Sequence, residues 1–203
     1  MIALAASLGY GDRPFALAGH DWGGVVAWWT ATRYPERLRR LAVLNAPHPA
    51  IMPRYAVTHP TQALKSWYVL FFQLPAAPEA LIRMNRFALG RRALLGSARP
   101  GTFAADDLDR YAEAWEQPGA LAAMLNWYRA LLRFPPPRTP SLRVTAPTRV
   151  IWGARDRFWE RGTAEASLAL CNDGRLDVIE EATHWVQLEE PERVNRLLVE
   201  ALA

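Results

Sequence analysis

Four short, mainly apolar runs are spaced along the chain, over residues 15–18, 41–44, 148–152 and 176–179. Runs of this length are typical of strands buried on both faces of a parallel sheet. Helical patterns follow them, over residues 25–34, 161–170 and 191–203. The alternation of strand and helix predicts an α/β fold with a parallel sheet flanked by helices.

The middle of the chain, residues 50–141, has a different pattern and contains no convincing strand. Helical patterns occur there near residues 61–73, 78–95, 106–115 and 119–134, with prolines between them. The run Pro135-Pro136-Pro137 predicts a stiff exit linker. We therefore expect an all-helical cap over residues 50–141, inserted between core parts at 1–49 and 142–203.

Composition narrows the class of protein. The 203 residues are 51% hydrophobic, enough for an ordered domain with a sizeable core, and no apolar run approaches the ~20 residues of a membrane span. The first residues lack the basic start of a signal peptide. Cys171 is the single cysteine, so no intrachain disulfide forms. These features predict a cytoplasmic protein without a membrane association.

The net charge of +4 does not indicate a nucleic-acid partner, because the arginines are scattered and interleaved with acidic residues. No Cys/His cluster has metal-ligand spacing, and no Gly-rich nucleotide motif is present. We therefore expect neither a metal nor a cofactor. The oligomeric state is left open, a homo-oligomer included.

The most informative segment lies between the first strand and its helix, and reads Gly19-His20-Asp21-Trp22-Gly23-Gly24. A strand, a glycine-rich turn and a helix form the setting of a nucleophile elbow, usually G-x-S-x-G. Asp21 occupies the place of the serine. We expect the three glycines to remove side chains that would clash in the turn. The alternative is an ordinary turn in which Asp21 caps the helix.

Two further groups follow late strands, as in an α/β-hydrolase triad. Asp156 comes after the strand at 148–152, and His184 comes after the strand at 176–179. The order nucleophile, acid, histidine is therefore met. Taken singly, each has a structural alternative, a turn aspartate or a packed histidine. His20 is expected to be packed and hydrogen-bonded, pointing away from Asp21.

A carboxylate nucleophile suits displacement at a saturated carbon, with an ester to the enzyme as the intermediate. His184, held by Asp156, would then deprotonate the water that hydrolyses this ester. The backbone N–H of Trp22 is placed to stabilise the oxyanion. If the leaving group is an epoxide oxygen, it needs a proton donor, and Tyr68 or Tyr128 can supply one. The alternative role for both tyrosines is packing.

These residues resemble the soluble epoxide hydrolases of the α/β-hydrolase fold. The resemblance rests on the elbow and on the segments Tyr34-Pro35-Glu36-Arg37, Asn45-Ala46-Pro47-His48-Pro49, Ser66-Trp67-Tyr68, Leu125-Asn126-Trp127-Tyr128-Arg129 and Thr183-His184-Trp185. It implies a nucleophilic Asp21, the pair Asp156 and His184, and Tyr68 and Tyr128 as lid tyrosines that polarise an epoxide.

The sequence departs from the family in one respect. Family members carry an H-G-x-P motif on strands before the elbow, which supplies the second oxyanion donor, and no H-G-x-P occurs here. We therefore expect a partial α/β-hydrolase sheet. The chain would then be a fragment, the product of a mis-started reading frame, or a protein whose sheet is completed by another chain.

Three functions stay open at this point. The first is hydrolysis of a hydrophobic epoxide by water, the substrate class being indicated by aromatic residues of the cap that are expected to line the pocket: Trp67, Phe71, Phe72, Trp127 and Phe134. The second is a haloalkane or haloacetate dehalogenase, which uses the same Asp, acid and His. The third is an inactive or ligand-binding fragment.

Overall fold

The computed structural model describes residues 1–134, 139 and 141–203, so the predicted linker at 135–137 lies outside the described residues. The chain divides into two compact units. Unit 1 consists of Met1–Gln62 and Thr139–Ala203, and unit 2 of Ala63–Arg138. The assignment of residues 50–141 as an inserted cap domain stays a prediction.

Unit 1 contains a four-stranded parallel sheet. Its strands, in chain order and in spatial order alike, are β1 (Phe15–His20), β2 (Leu38–Leu44), β3 (Thr148–Gly153) and β4 (Gly174–Ile179). All four apolar runs of the sequence thus form strands. The predicted α/β fold class with a parallel sheet flanked by helices is confirmed.

Eleven α-helices lie in the described residues: α1 (Ile2–Ala5), α2 (Trp22–Arg33), α3 (Ile51–Thr58), α4 (Pro60–Lys65), α5 (Trp67–Phe71), α6 (Ala77–Ser97), α7 (Ala105–Glu116), α8 (Ala120–Arg133), α9 (Arg161–Leu168), α10 (Val186–Glu189) and α11 (Pro191–Leu202). In the part of the chain that the structure describes, no helix is long and apolar enough to cross a bilayer.

Two of the predicted helices are interrupted. The pattern over residues 61–73 predicted one helix, but the structure has α4 and α5, separated at Ser66. Helix α6 is broken at residues 84–87, where Asn85, Arg86 and Phe87 adopt positive φ. Neither glycine nor proline marks this break, so the local pattern predicted a continuous helix.

The sheet of unit 1 is covered on both faces, which explains the apolar runs within its strands. On one face, Trp28 of α2 and Trp152 of β3 are fully buried in the larger core. On the other, Ile151 and Ile179 pack against Val194 of α11 and its neighbours. Burial on both faces favours apolar residues in the centre of the sheet, and this is the physical origin of the apolar runs. Arg149 of β3 is a buried exception, and its guanidinium pairs with Asp177 and Glu200.

Candidate active site

The candidate site lies where the four parallel strands end. Asp21 follows β1 directly, Asn45 follows β2, and Asp156 lies in the loop after β3. His184 lies in the loop after β4. The carboxyl ends of parallel strands meet at one edge of the sheet, which is where open α/β sheets place their sites. One side chain from each strand end therefore reaches the same region.

Asp21 has the backbone of an elbow. Its φ of 50° and ψ of −122° lie where residues other than glycine are strained, at a cost on the order of 1–3 kcal/mol. Its side chain makes no capping hydrogen bond to α2, so the alternative role as a helix cap is not supported. The carboxylate is 41% exposed and hence accessible. Trp22 is the first residue of α2, which places its amide at the positive end of the helix.

The three glycines of the turn are not equivalent. A Cβ on Gly19 would lie 2.3 Å from the carbonyl oxygen of Gly23, and one on Gly24 would lie 2.5 Å from Ala46 Cβ. A Cβ on Gly23 would meet nothing within 4 Å. The prediction that all three glycines prevent clashes is therefore wrong for Gly23, because its α-carbon faces open space.

The structure brings Asp21, Asp156 and His184 together. His184 Nδ1 lies 2.9 Å from Asp156 Oδ2, and His184 Nε2 lies 3.7 Å from Asp21 Oδ1. An ionised carboxylate only accepts hydrogen bonds, so Nδ1 carries the proton and donates it to Asp156. The lone pair of Nε2 then faces Asp21. The gap of 3.7 Å is longer than a hydrogen bond.

Asp156 is fully buried and accepts hydrogen bonds on both oxygens. Oδ1 accepts from the amides of Phe158 at 2.7 Å and Trp159 at 3.1 Å. Oδ2 accepts from His184 and also from Asn45 Nδ2 at 2.7 Å. These donors compensate the loss of water around the charge. Sequence reasoning did not single out Asn45 for this role, although the residue lies in a segment that carried the family resemblance.

The electrostatic environment of His184 favours its protonated form. Burial alone lowers the pKa of His184, but the charge and hydrogen bond of Asp156, followed by the charges of Asp21 and Glu189, outweigh burial and raise the pKa above its usual value. This is the charge pattern of a histidine that accepts a proton during a reaction and is stabilised as the cation.

His20 packs beside His184 and is hydrogen-bonded to its backbone. Its Nε2 donates a hydrogen bond to the backbone oxygen of His184 at 2.9 Å, and the two ring centroids are 4.6 Å apart. Burial and then the neighbouring His184 lower the pKa of His20 to about 4. The packed, hydrogen-bonded role predicted for His20 is confirmed.

The loop that carries His184 is fixed by a buried acid that the sequence did not reveal. Glu189 of α10 accepts hydrogen bonds from the amide and from the hydroxyl of Thr183, both at 2.7 Å. A glutamate just before a predicted helix normally indicates a solvated position. No local signal distinguishes this one.

Within unit 2, the structure places the two predicted tyrosines side by side. Tyr68 of α5 and Tyr128 of α8 have ring centroids 5.7 Å apart, in an edge-to-face arrangement. Arg129 holds the two helices in register, since its guanidinium donates to Phe72 O at 2.9 Å and pairs with Glu79. The two tyrosines are therefore neighbours on two helices that Arg129 connects.

The aromatic residues predicted to line a pocket all lie in unit 2. Three of them, Trp67, Phe71 and Phe72, form a chain of ring contacts that continues from Phe72 to Tyr128 at 4.9 Å. Trp127 lies on α8, and Phe134 follows α8 and is 76% exposed. Their role in lining a pocket stays a prediction.

A family model described as the alpha/beta hydrolase family matches residues 2–197. The chain belongs to the alpha/beta hydrolase family. It is 46% identical over 191 residues, 94% of its length, to the AB hydrolase superfamily protein YfhM of Bacillus subtilis, of which it covers 66%. It is 39% identical over 198 residues, 95% of its length, to human epoxide hydrolase 4, of which it covers 54%.

Solved structures of this family agree with the sequence relatives. The fold superimposes on a crystal structure of an epoxide hydrolase from Bacillus megaterium with a TM-score of 0.83 and 27% identity, covering 98% of this chain and 73% of that one. The chain is thus an epoxide-hydrolase-like α/β hydrolase. It spans about half to two thirds of the length of the two curated relatives named above.

Proposed function

We propose that this chain carries the reacting groups of an epoxide hydrolase, with Asp21 as nucleophile, Asp156 and His184 as the charge pair, and Tyr68 and Tyr128 as donors to the epoxide. The observation that carries the proposal is an aspartate on a strained elbow, with the lone pair of a buried, carboxylate-paired His184 facing it at 3.7 Å. A serine hydrolase would have a hydroxyl at this position.

In the first step, an oxygen of Asp21 forms a bond to a ring carbon of the epoxide. The ring C–O bond breaks, and its electron pair goes to the epoxide oxygen. That oxygen takes a proton from Tyr68 or Tyr128, because an alkoxide is too basic to leave unaided. The adjacency of the two tyrosines within unit 2 supports a paired donor. The product of the step is an ester between Asp21 and the opened substrate.

In the second step, His184 Nε2 takes a proton from a water molecule, and the resulting hydroxide adds to the ester carbonyl of Asp21. The amide of Trp22, at the start of α2, stabilises the oxyanion. The ester C–O bond then breaks, and the leaving oxygen takes the proton from His184, which releases the diol. The regenerated carboxylic acid of Asp21 loses the second proton of the water, which returns through solvent to the tyrosinate. The charge and hydrogen bond of Asp156, which raise the pKa of His184, also stabilise the imidazolium that forms between these events.

The substrate class follows from the aromatic residues of unit 2. Trp67, Phe71 and Phe72 present contiguous ring surface beside the tyrosines, which favours a hydrophobic epoxide over a polar one. The relatives named epoxide hydrolase support the same class. The single cysteine agrees with a cytoplasmic location.

The proposal is tested by a single turnover of styrene oxide in oxygen-18 water, with enzyme in excess. We expect the first diol to contain no oxygen-18 and the label to appear in the Asp21 carboxylate, because the diol oxygen comes from the enzyme. Asp21→Asn should abolish turnover, provided that deamidation is excluded by mass spectrometry. Oxygen-18 in the first diol, or undiminished turnover by Asp21→Asn, would contradict the covalent mechanism.

A second comparison separates epoxide opening from carbon–halogen cleavage, which needs the same Asp21 but no tyrosine pair. Tyr68→Phe should slow diol formation on the order of 10–100-fold, since one of two proton donors is lost. Halide release from haloalkanes or haloacetate by the unmodified chain, unaffected by Tyr68→Phe, would assign a dehalogenase instead. If a cooperatively folded chain shows neither activity but binds styrene oxide, the ligand-binding alternative holds.

A further inference from the structure

Gln62 is a polar residue of the core that the reaction above does not use. Its side chain lies on α4 and is completely buried. Its Nε2 donates to the backbone oxygen of Phe158 at 2.8 Å, and its Oε1 accepts from the amide of Glu160 at 2.8 Å. Both ends of the amide are therefore bonded to one short stretch of main chain.

That stretch is the loop that carries Asp156. The amides of Phe158 and Trp159 donate to Asp156 Oδ1, so the loop folds back on the carboxylate. The ring of Phe158 also packs edge-on against His184, with centroids 4.9 Å apart. The peptide groups around Phe158 are consequently held from two sides, by Asp156 through an N–H and by Gln62 through a C=O.

The far end of the loop is anchored as well. Glu160 is the residue before α9, and its carbonyl accepts from the amide of Thr163 at 2.9 Å. Because Gln62 bonds the amide of the same residue, it connects α4 to the start of α9 through the loop. The loop cannot shift relative to α4 without breaking two buried hydrogen bonds, and a buried group left unpaired is costly.

We propose that Gln62 is a positioning residue, which acts through residues 158–160 to hold Asp156 against His184. In the absence of Gln62, the loop has a main-chain carbonyl and an amide without their buried partner. It gains freedom to move, and the 2.9 Å contact between Asp156 and His184 lengthens on average. The consequence for catalysis rests on the proposed function, whereas the geometric claim concerns only the Asp156–His184 pair.

The geometric claim is tested on the full chain by NMR titration of the four histidine side chains, assigned by substitution. The charges that face His184 are Asp156, Asp21 and Glu189, with His20 alongside. In Gln62→Met, which keeps the volume but loses both hydrogen bonds, we expect the pKa of His184 to fall by roughly one unit, because the average attraction of Asp156 weakens.

The matched control is Thr148→Val at the amino end of β3, far along the strand from Asp156. It also removes a buried side-chain hydrogen bond, from Thr148 Oγ1 to Ala146 O at 2.8 Å. We expect Thr148→Val to lower the unfolding midpoint and leave the pKa of His184 unchanged. An unchanged His184 pKa in a folded Gln62→Met would overturn the proposal and make Gln62 a purely structural residue.

A milder variant keeps the test decisive if Gln62→Met does not fold. Gln62→Asn retains an amide that is one methylene shorter and cannot span both backbone partners. We expect faster hydrogen exchange at the amides of Phe158 and Trp159 in this variant, but not in Thr148→Val. Unaltered exchange at these two amides would likewise contradict the proposal.

Kinetics provide the link to catalysis. If the proposed function holds, Gln62→Met should slow hydrolysis of the Asp21 ester on the order of 10–100-fold, because the base is misplaced, while ester formation changes little. The ester should then accumulate and be detectable by mass. If the unmodified chain has no epoxide turnover, the proposed function fails, but the NMR titration still decides the role of Gln62.

Discussion

Asn45, directly after β2, has both a side chain with two buried hydrogen bonds and a backbone with positive φ. Its side-chain amide donates to Asp156 Oδ2 at 2.7 Å, and its Oδ1 accepts from the amide of Gly153 at 2.9 Å. Its φ is 42°, in the left-handed region that asparagine tolerates better than most residues. Asn45 therefore combines a strained backbone with a buried side chain that joins the ends of β2 and β3 to the acid. Few other residue types satisfy both conditions.

Replacement of Asn45 separates these two contributions. Asn45→Ala should lower the free energy of unfolding by about 2–4 kcal/mol, since the Gly153 amide loses a buried partner and the strain remains. Asn45→Gly loses the same hydrogen bonds but relieves the backbone, and should be roughly 1 kcal/mol more stable than the alanine variant. Chemical denaturation measures both. Wild-type stability of Asn45→Ala would show that the side-chain bonds contribute nothing.

Helix α2 packs closely against the end of β2 and the segment that follows it. The helix starts immediately after Asp21, and Gly24 in its first turn faces Ala46 and Val43. Any side chain at Gly24 would push α2 outward and, with it, the residue from which the helix starts. The helix can lie this close to the sheet only because Gly24 has no Cβ.

Two alanine substitutions, one residue apart, test this packing. Gly24→Ala should destabilise the chain by about 1–3 kcal/mol, because its Cβ would lie 2.5 Å from Ala46 Cβ. Gly23→Ala has open space around its Cβ and should be neutral or stabilising by roughly 0.5–1 kcal/mol, as expected for alanine over glycine in a helix. Thermal unfolding compares them. Equal effects of the two substitutions would contradict the packing argument.

The stability of the chain as a whole is sensitive to acid through His48, which is buried in unit 1. His48 is 2% exposed, and burial lowers its pKa to about 4. Its Nδ1 accepts a hydrogen bond from the amide of Ala50, so its neutral form is built into the fold. In the unfolded chain the same imidazole binds a proton at its ordinary pKa. Acidification therefore favours the unfolded state.

The pH window follows from this pKa shift. Between pH 6.5 and about 4 the unfolded state binds more protons at His48, so stability falls as the pH falls, by up to ~3 kcal/mol from this group. His48→Asn keeps an acceptor near the amide of Ala50 but does not titrate, and should lose correspondingly less stability across this window. Urea unfolding at several pH values measures the slope, and the value at pH 8 gives the cost of the substitution itself. Parallel curves for both proteins would rule out the assignment.

The sequence was sufficient to predict the order of the strands and of the candidate site residues along the chain. The four strands, the elbow at Asp21 and the order of Asp21, Asp156 and His184 all follow from local signals. An unbroken apolar run, a glycine-flanked turn and a residue placed just after a strand are properties of neighbouring positions, and a parallel sheet brings the strand ends to one edge whatever the details of packing. The break inside α6 had no such signal and was missed.

The supports of the candidate site became visible only in three dimensions. Asn45 and Asp156 are separated by 111 residues, Gln62 and Phe158 by 96, and His20 and His184 by 164. Such pairs depend on which helix packs where and on the register of β2 and β3, and neither leaves a periodic trace in the sequence. For the same reason, the sequence does not distinguish the roles of Gly23 and Gly24. Only the tertiary structure shows that Gly24 packs against β2 and Ala46 and so must lack a side chain, whereas Gly23 does not. Local patterns predict the candidate reacting groups, and the tertiary structure shows which residues hold them in place.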